Sequence, residues 1–239
     1  MSRTFTPFAE QDPETKALVN ELLCLKGNVL GYQKHMRQLG NHLADSLIPQ
    51  LNAEHPKDIC VICTVEDADF LARGLIEKLE SCSFGFNTRM ICMWNKRIRG
   101  EGISISPILR SYEEIYDKND VVFVIVKSII SGACVVRTNL TRTVSVANPK
   151  SIFVVSPVML KDAEIRLANE FPLEISRKFK FIHFATDTDR TPNGEEVIPG
   201  VGGSVYELLG FRDENNKNKY IPEIVRERRR KAYPDMVTA

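Results

Sequence analysis

Apolar and polar positions along the chain follow two rhythms. Up to about residue 50 the apolar positions recur every three to four residues, the spacing of helices with one buried face. Ala17, Leu18, Leu22 and Leu23 form one such stripe. The helix carrying it is predicted to start after Asp12, a good N-cap, with Pro13 in the first helical position. Met36, Leu39, Leu43 and Leu47 form a second stripe over residues 32–48, and Pro49 is expected to close that helix. From Asp58 onward short apolar runs alternate with helical stretches. Residues 59–64, 89–94, 121–126, 151–156 and 179–185 read as strands. Residues 67–79, about 133–147 and 161–171 read as helices between them, and the basic, glycine-bearing stretch 96–107 as a flap or hairpin. Strands separated by helices of this length predict right-handed crossovers, a doubly wound, mostly parallel α/β sheet, and a ligand site at the carboxyl ends of its strands.

The most informative stretch is residues 121–140. Six apolar, mostly β-branched residues, Val121–Val126, follow a polar turn at Lys118-Asn119-Asp120. Such a run reads as a strand buried on both faces. A loop of small residues from Ser128 to Cys134 leads into a helix with Val135, Val136, Leu140, Val144 and Val146 as its apolar positions. Strand, small polar loop and helix is a geometry that aims backbone N–H groups at an anion, usually a phosphate. Ser131, Gly132, Ala133 and Cys134 are the candidate cradle, Ser131 adding a hydroxyl and Gly132 allowing close approach. By motif alone, most such junctions bind nothing.

A second candidate region lies near the far end of the chain. Asp187 and Asp189 follow the last strand and are candidates for an acid or base. The run Val197-Ile198-Pro199-Gly200-Val201-Gly202-Gly203 holds backbone where side chains would obstruct. Residues 204–209 read as a short helix. The organisation expected is a flexible segment 1–12, an α/β domain with its amino-terminal helices over 13–211, and a charged tail 212–239. In the tail, a helix over 221–231 would dock Ile224 and Val225 and expose Arg226, Arg228, Arg229, Arg230 and Lys231.

Composition narrows the classes. The 239 residues are 43% apolar and 26% charged, as in ordinary globular proteins. With 32 basic and 31 acidic residues the net charge is +1, which gives no bulk signal for nucleic acid or an anionic membrane. No apolar run reaches membrane-spanning length and the first ten residues lack a signal-peptide core, so a cytoplasmic protein is expected. The six cysteines then read as reduced thiols packed as small apolar groups. Cys60 and Cys63 sit three apart in a strand, pointing to opposite faces, and no metal site is expected of them.

The order of these parts resembles the uracil phosphoribosyltransferases, within the type I phosphoribosyltransferase fold, over about residues 22–211. Leu25-Lys26 stands where that family has a Leu-Arg pair, and residues 121–140 stand where it binds the 5-phosphate of phosphoribosyl pyrophosphate. Val197-Ile-Pro-Gly-Val-Gly is similar to the family's I-V-P-G-L-G, whose backbone reads uracil, with Glu195-Glu196 before it and residues 206–211 after it. The resemblance implies that Val197, Ile198, Gly200, Gly202 and Gly203 contact a base. It also implies a nucleobase or nucleotide as partner, and a homodimer.

Three positions depart from the family. Val126 replaces the acid that lies close to the ribose hydroxyls, and Gly203 replaces the Asp that ends the uracil loop. Where the family has an Arg-Ala-Gly loop for pyrophosphate, this chain has Thr64, Val65, Glu66, Asp67, Ala68 and Asp69. Three carboxylates near a pyrophosphate would repel it unless Mg²⁺ intervened. Two readings follow: a phosphoribosyltransferase-like enzyme with altered substrate or chemistry, or a non-catalytic relative acting as nucleotide sensor or protein scaffold. A third, an unrelated small-molecule ligand, stays open.

Overall fold

The computed structural model describes residues 2–82, 85–100 and 103–232. Residues 101–102 of the expected flap and 233–239 of the tail lie outside the described residues. The chain opens with β1 (Arg3–Phe5), α1 (Pro7–Glu10), α2 (Pro13–Glu21) and α3 (Val29–Glu54). Asp12 caps α2, its carboxylate accepting the N–H groups of Glu14 and Thr15. Two expectations are corrected here. The segment read as loosely held supplies β1, because the backbone groups of Arg3, Thr4 and Phe5 find partners 180 or more residues away, on a strand ending at Asp187. Pro49 lies inside α3 rather than closing it, since the buried stripe continues to Leu51 and packing carries the helix past one missing backbone bond.

The alternating part follows. β2 (Asp58–Thr64) runs into α4 (Val65–Asp67), a π turn over Ala68–Ala72, and α5 (Arg73–Ser81). β3 (Asn87–Asn95) leads to a small hairpin of β4 (Ile98–Gly100) and β5 (Ile103–Ile105), then to β6 (Ile108–Glu113). After β7 (Val121–Val126) come β8 (Ile129–Ile130), α6 (Cys134–Val144), β9 (Ile152–Leu160), α7 (Ala163–Ala168), α8 (Leu173–Ser176) and β10 (Phe179–Asp187). A ribbon of β11 (Asp189–Arg190) and β12 (Val197–Ile198) precedes α9 (Val205–Leu208), α10 (Glu214–Lys219) and α11 (Glu223–Ala232).

The main sheet has the order β1-β10-β9-β7-β2-β3-β6. β10, β9, β7, β2 and β3 are mutually parallel, and β1 and β6 close the edges antiparallel. The central strands are buried on both faces, as their apolar runs require. Val122, Val124 and Val126 face the core under α2, α3 and α5, while Val121, Phe123 and Ile125 face the core under α6 and α7. Cys63 and Cys60 separate in the same way, so neither can join the other at a metal. The chain leaves β2 for β3 on one side and returns to β7 on the other. The carboxyl ends of β2 and β7 are therefore the switch point at which a doubly wound sheet opens a crevice.

The charged carboxyl-terminal segment is not a solvated tail. Ile224 and Val225 are buried, and the Trp94 indole N–H donates to the Tyr220 carbonyl at 2.8 Å. Arg228, expected to be exposed, reaches Glu114 and Glu80 at 2.7 Å each and donates to the Thr88 carbonyl. A basic run on a short helix looks solvent-facing until the acids on distant strands are known. No described helix is long and apolar enough to cross a membrane.

Candidate functional site

A cleft of about 240 Å³ opens at the switch point. Its floor comes from the ends of the two central strands, through Glu66 after β2 and Lys127, Ser128 and Ile129 after β7. Ser131 and Val135 line one side, and Glu195, Glu196, Val197, Val201 and residues 203–206 line the other. Arg97 reaches over it from the hairpin side. An adjoining, more open recess of about 290 Å³ shares Arg97 and Glu195 and is lined by Gly132, Ala133, Cys134, Asn193 and Gly194.

At the floor, Lys127 organises the chemistry. Its ammonium donates to Thr64 Oγ1 and Glu66 Oε1 at 2.9 Å each and to Asp67 Oδ2 at 2.8 Å. Those three acceptors take all three N–H donors of a lysine. Asp67 accepts further from the Thr64 hydroxyl at 3.0 Å, the Ser128 backbone N–H at 3.1 Å and the Ser128 hydroxyl. Lys217, arriving from α10, donates to the Asn95 carbonyl at 2.9 Å and lies 3.8 Å from Glu66 Oε2. It also stands over the Tyr206 ring, 4.7 Å from its centroid. Two carboxylates and two ammoniums thus close on one another, each side chain at most 14% exposed.

The electrostatics follow from that closure. Burial alone would raise the Glu66 carboxyl, but the Lys127 and Lys217 ammoniums hold it down at about 2. Burial would lower Lys127, and the Asp67 and Glu66 carboxylates instead hold it well above the usual lysine range. Lys217, in a less favourable setting, is lowered by its burial.

The expected pyrophosphate-loop residues therefore divide. Thr64, Glu66 and Asp67 stay together as Lys127 acceptors, and only Glu66 of the three lines the cleft. Asp69 turns away: it accepts the Tyr220 hydroxyl and the backbone N–H groups of Glu223 and Ile224, the latter two at 2.8 Å each, so it anchors the start of α11. Mg²⁺ could intervene at these acids only if they converged. Among the described residues no group of three or more His, Cys, Asp or Glu side chains is placed to hold a metal ion. The three-way repulsion expected toward an anion is also reduced, because Asp69 points elsewhere and the other two are paired.

The phosphate candidates also divide, Ser131 lining the cleft and Gly132, Ala133 and Cys134 the adjoining recess. Ala133 stands at the N-cap of α6 without a side-chain cap bond, so first-turn N–H groups of the helix lack that satisfaction. Arg190 ties the two sides together, donating to the Ser131 carbonyl and, at 2.9 Å, to the Gly194 carbonyl. Burial, with the Arg166 and Arg97 cations nearby, lowers its guanidinium below the usual range.

In the base-binding run, Val197 and Gly203 line the cleft, whereas Ile198, Gly200 and Gly202 do not. The Ile198–Pro199 bond is cis. Gly200 donates its N–H to Asp187 Oδ2 at 2.8 Å. Gly202, at φ +94°, would bring a Cβ to 3.0 Å from the Leu22 carbonyl oxygen, so on that side it packs against the chain after α2. Asp187, a catalytic candidate, is fully buried and accepts two bonds from Arg3, at 2.8 and 2.7 Å, beside that from Gly200. It buttresses the 197–203 loop from behind. Asp189 lies in β11, accepting from the Thr188 hydroxyl at 3.2 Å, and lines neither the cleft nor the recess. Sequence reasoning missed Lys127, Lys217, Tyr206 and Arg97 as site residues. The one available signal was Lys127 itself, a charge directly after six buried apolar residues.

No family model and no curated protein sequence matches the chain. Solved structures that are similar include a purine phosphoribosyltransferase from Pyrococcus horikoshii, at 17% identity and TM-score 0.34, covering 51% of this chain and 74% of that one. A hypoxanthine phosphoribosyltransferase from Staphylococcus aureus has 11% identity and TM-score 0.41, covering 64% and 75%. An adenine phosphoribosyltransferase from Thermoanaerobacter pseudethanolicus has 11% identity and TM-score 0.39, covering 61% and 79%. A likeness of that degree decides neither family nor chemistry for this chain, and its function rests on its own residues.

Proposed function

We propose that the cleft binds a nucleobase, nucleotide or ribose 5-phosphate, as a phosphoribosyltransferase-like protein whose substrate or chemistry is altered. The observation that carries this is position. A cleft opens at the switch point of a doubly wound sheet, between a small-residue loop leading into α6 and a backbone-rich wall at residues 203–206. Ser131, Gly132, Ala133 and Cys134, with the α6 amino terminus and Arg97, take the phosphate. Val197 and Gly203, with the residues that follow, take the base or sugar by backbone and apolar contact.

A second reading is a non-catalytic sensor or scaffold. It is favoured by the engagement of the acids, Asp187 with Arg3 and Gly200, Asp69 with α11, and Asp67 with Lys127 and Ser128, which leaves them no task toward a substrate. By the same resemblance we propose a cytoplasmic homodimer, to be checked by light scattering on the purified chain.

Thermal unfolding with phosphoribosyl pyrophosphate, ribose 5-phosphate, UMP and uracil, each with and without Mg²⁺, tests the binding reading. A ligand at about a hundred times its Kd adds about 2.7 kcal/mol of stability, an easily measured rise in Tm. A rise with any phosphorylated member supports the cleft as the site, and abolition of that rise by Arg97→Ala locates it. Turnover of phosphoribosyl pyrophosphate with any base removes the second reading; silence from the whole panel removes the first.

A further inference from the structure

We propose that the cleft is built to refuse a diphosphate, and that its ligand carries a single phosphate on a ribosyl or nucleoside body. This rests on the cleft being a phosphate-ligand site, and it concerns which phosphate ligands that site admits. A diphosphate entering at the floor would need donors there, and the two nearby ammoniums are Lys127, which lines the cleft, and Lys217, buried behind it. Lys127 has given all three of its N–H groups to Thr64, Glu66 and Asp67. Lys217 is held by the Asn95 carbonyl and by Tyr206, with Glu66 Oε2 on its remaining side at 3.8 Å. The pair of ammoniums and the pair of carboxylates cancel, so the floor offers an anion no net charge, and the one uncommitted N–H, on Lys217, already has the Glu66 carboxylate 3.8 Å away.

Glu66 adds an active preference. It is 5% exposed and lines the cleft, and its Oε2, buried beside Lys217, has no hydrogen-bond partner among the described residues. A carboxylate short of donors favours a hydroxyl or an N–H beside it and opposes a phosphoryl group. The side wall acts in the same sense through Glu196, which also lines the cleft. Positive charge suited to one anion is found at the other end, where Arg97 borders both the cleft and the recess under the α6 amino terminus. The ligand is thereby oriented, with its phosphate toward Arg97 and its donor groups toward Glu66.

The test is titration calorimetry on the full chain in EDTA with ribose 5-phosphate, UMP and phosphoribosyl pyrophosphate. The wild-type chain is expected to bind one of the two monophosphates about tenfold or more tightly than phosphoribosyl pyrophosphate. Glu66→Gln unbalances the floor by one positive charge and is expected to narrow that ratio about fivefold, chiefly by improving phosphoribosyl pyrophosphate. Phosphoribosyl pyrophosphate binding as tightly as both monophosphates to the wild type, or an unchanged ratio in a folded Glu66→Gln chain, overturns this inference and leaves the cleft as a phosphate-ligand site. Silence from all three ligands overturns both. Should Glu66→Gln not fold, the wild-type ratio alone decides.

Discussion

Two buried carboxylate centres stand on opposite sides of the residue 197–206 wall, and they are built differently. Behind the wall, Asp187 is met by Arg3 twice and by the Gly200 N–H, with no exposure at all. Beneath the cleft, Asp67 and Glu66 are met by Lys127, and Glu66 keeps an oxygen without a hydrogen bond. At the first centre both Asp187 oxygens are satisfied within the protein, the unpartnered atom being Arg3 Nη1, and the centre holds shape. The second is balanced in charge but not in hydrogen bonds, and it faces the cleft. Both sets read as acidic site residues in the sequence; satisfaction of the carboxylate oxygens, not their identity, separates buttress from site.

The sharpest way to break this comparison is Lys127→Met. Glu66 and Asp67 would lose their common partner while staying buried, at an expected cost of about 3–5 kcal/mol in chemical denaturation at pH 7. The pH dependence should also invert. In the wild type the Glu66 carboxyl is held at about 2, below its ordinary 4.5, so its contribution is present above pH 4.5 and is lost as the pH falls toward 2. Without Lys127 the acids are easier to bury protonated, so the variant's deficit should shrink between pH 7 and 5. A deficit independent of pH would show that Lys127 acts by packing alone.

Asp187→Asn should come next, at about 3 kcal/mol, because Arg3 is left with a buried, uncompensated charge. Its loss should appear equally with and without ligand. A ligand Kd raised more than about tenfold in the folded variant would move Asp187 from buttress to site.

His183, on the same strand as Asp187, gives a smaller effect. Burial lowers its imidazole to about 4 from 6.5. The unfolded chain then binds a proton between those values while the folded chain does not, so stability is full above pH 6.5 and falls as the pH drops toward 4. His183→Gln should flatten that interval of the stability curve.

The smallest expected effect is Gly202→Ala, about 1–2 kcal/mol from a positive φ and the approach to Leu22. Ligand affinity of the folded variant should be unchanged.

The central strands and the helices around them were legible because their apolar periods are local. Val121–Val126 alone announces a strand buried on both faces, and the loop after it does reach the cleft. Asp12 announced its helix by chemistry confined to four residues. What was illegible depends on partners far away in sequence. Nothing near Asp69 says that it holds residues 220–224, and nothing near Lys217 says that it ends beside Glu66. Arg3 and Asp187 lie 184 residues apart. A charged residue reads as solvated until the fold brings its counter-charge, and that bias misplaced β1 and Arg228, while the acids after β2 were expected at a pyrophosphate because their own partners were out of sight.

Lys217 has one more consequence, for the timing of folding. A growing chain exposes β2, β3 and β7 long before α10 is synthesised, and domains tend to fold as their residues emerge. For that interval the nascent sheet holds Glu66 with only Lys127 against it, and the hollow above it carries surplus negative charge. Arrival of residue 217 completes the neutralisation, so a competent cleft is among the last features the ribosome delivers.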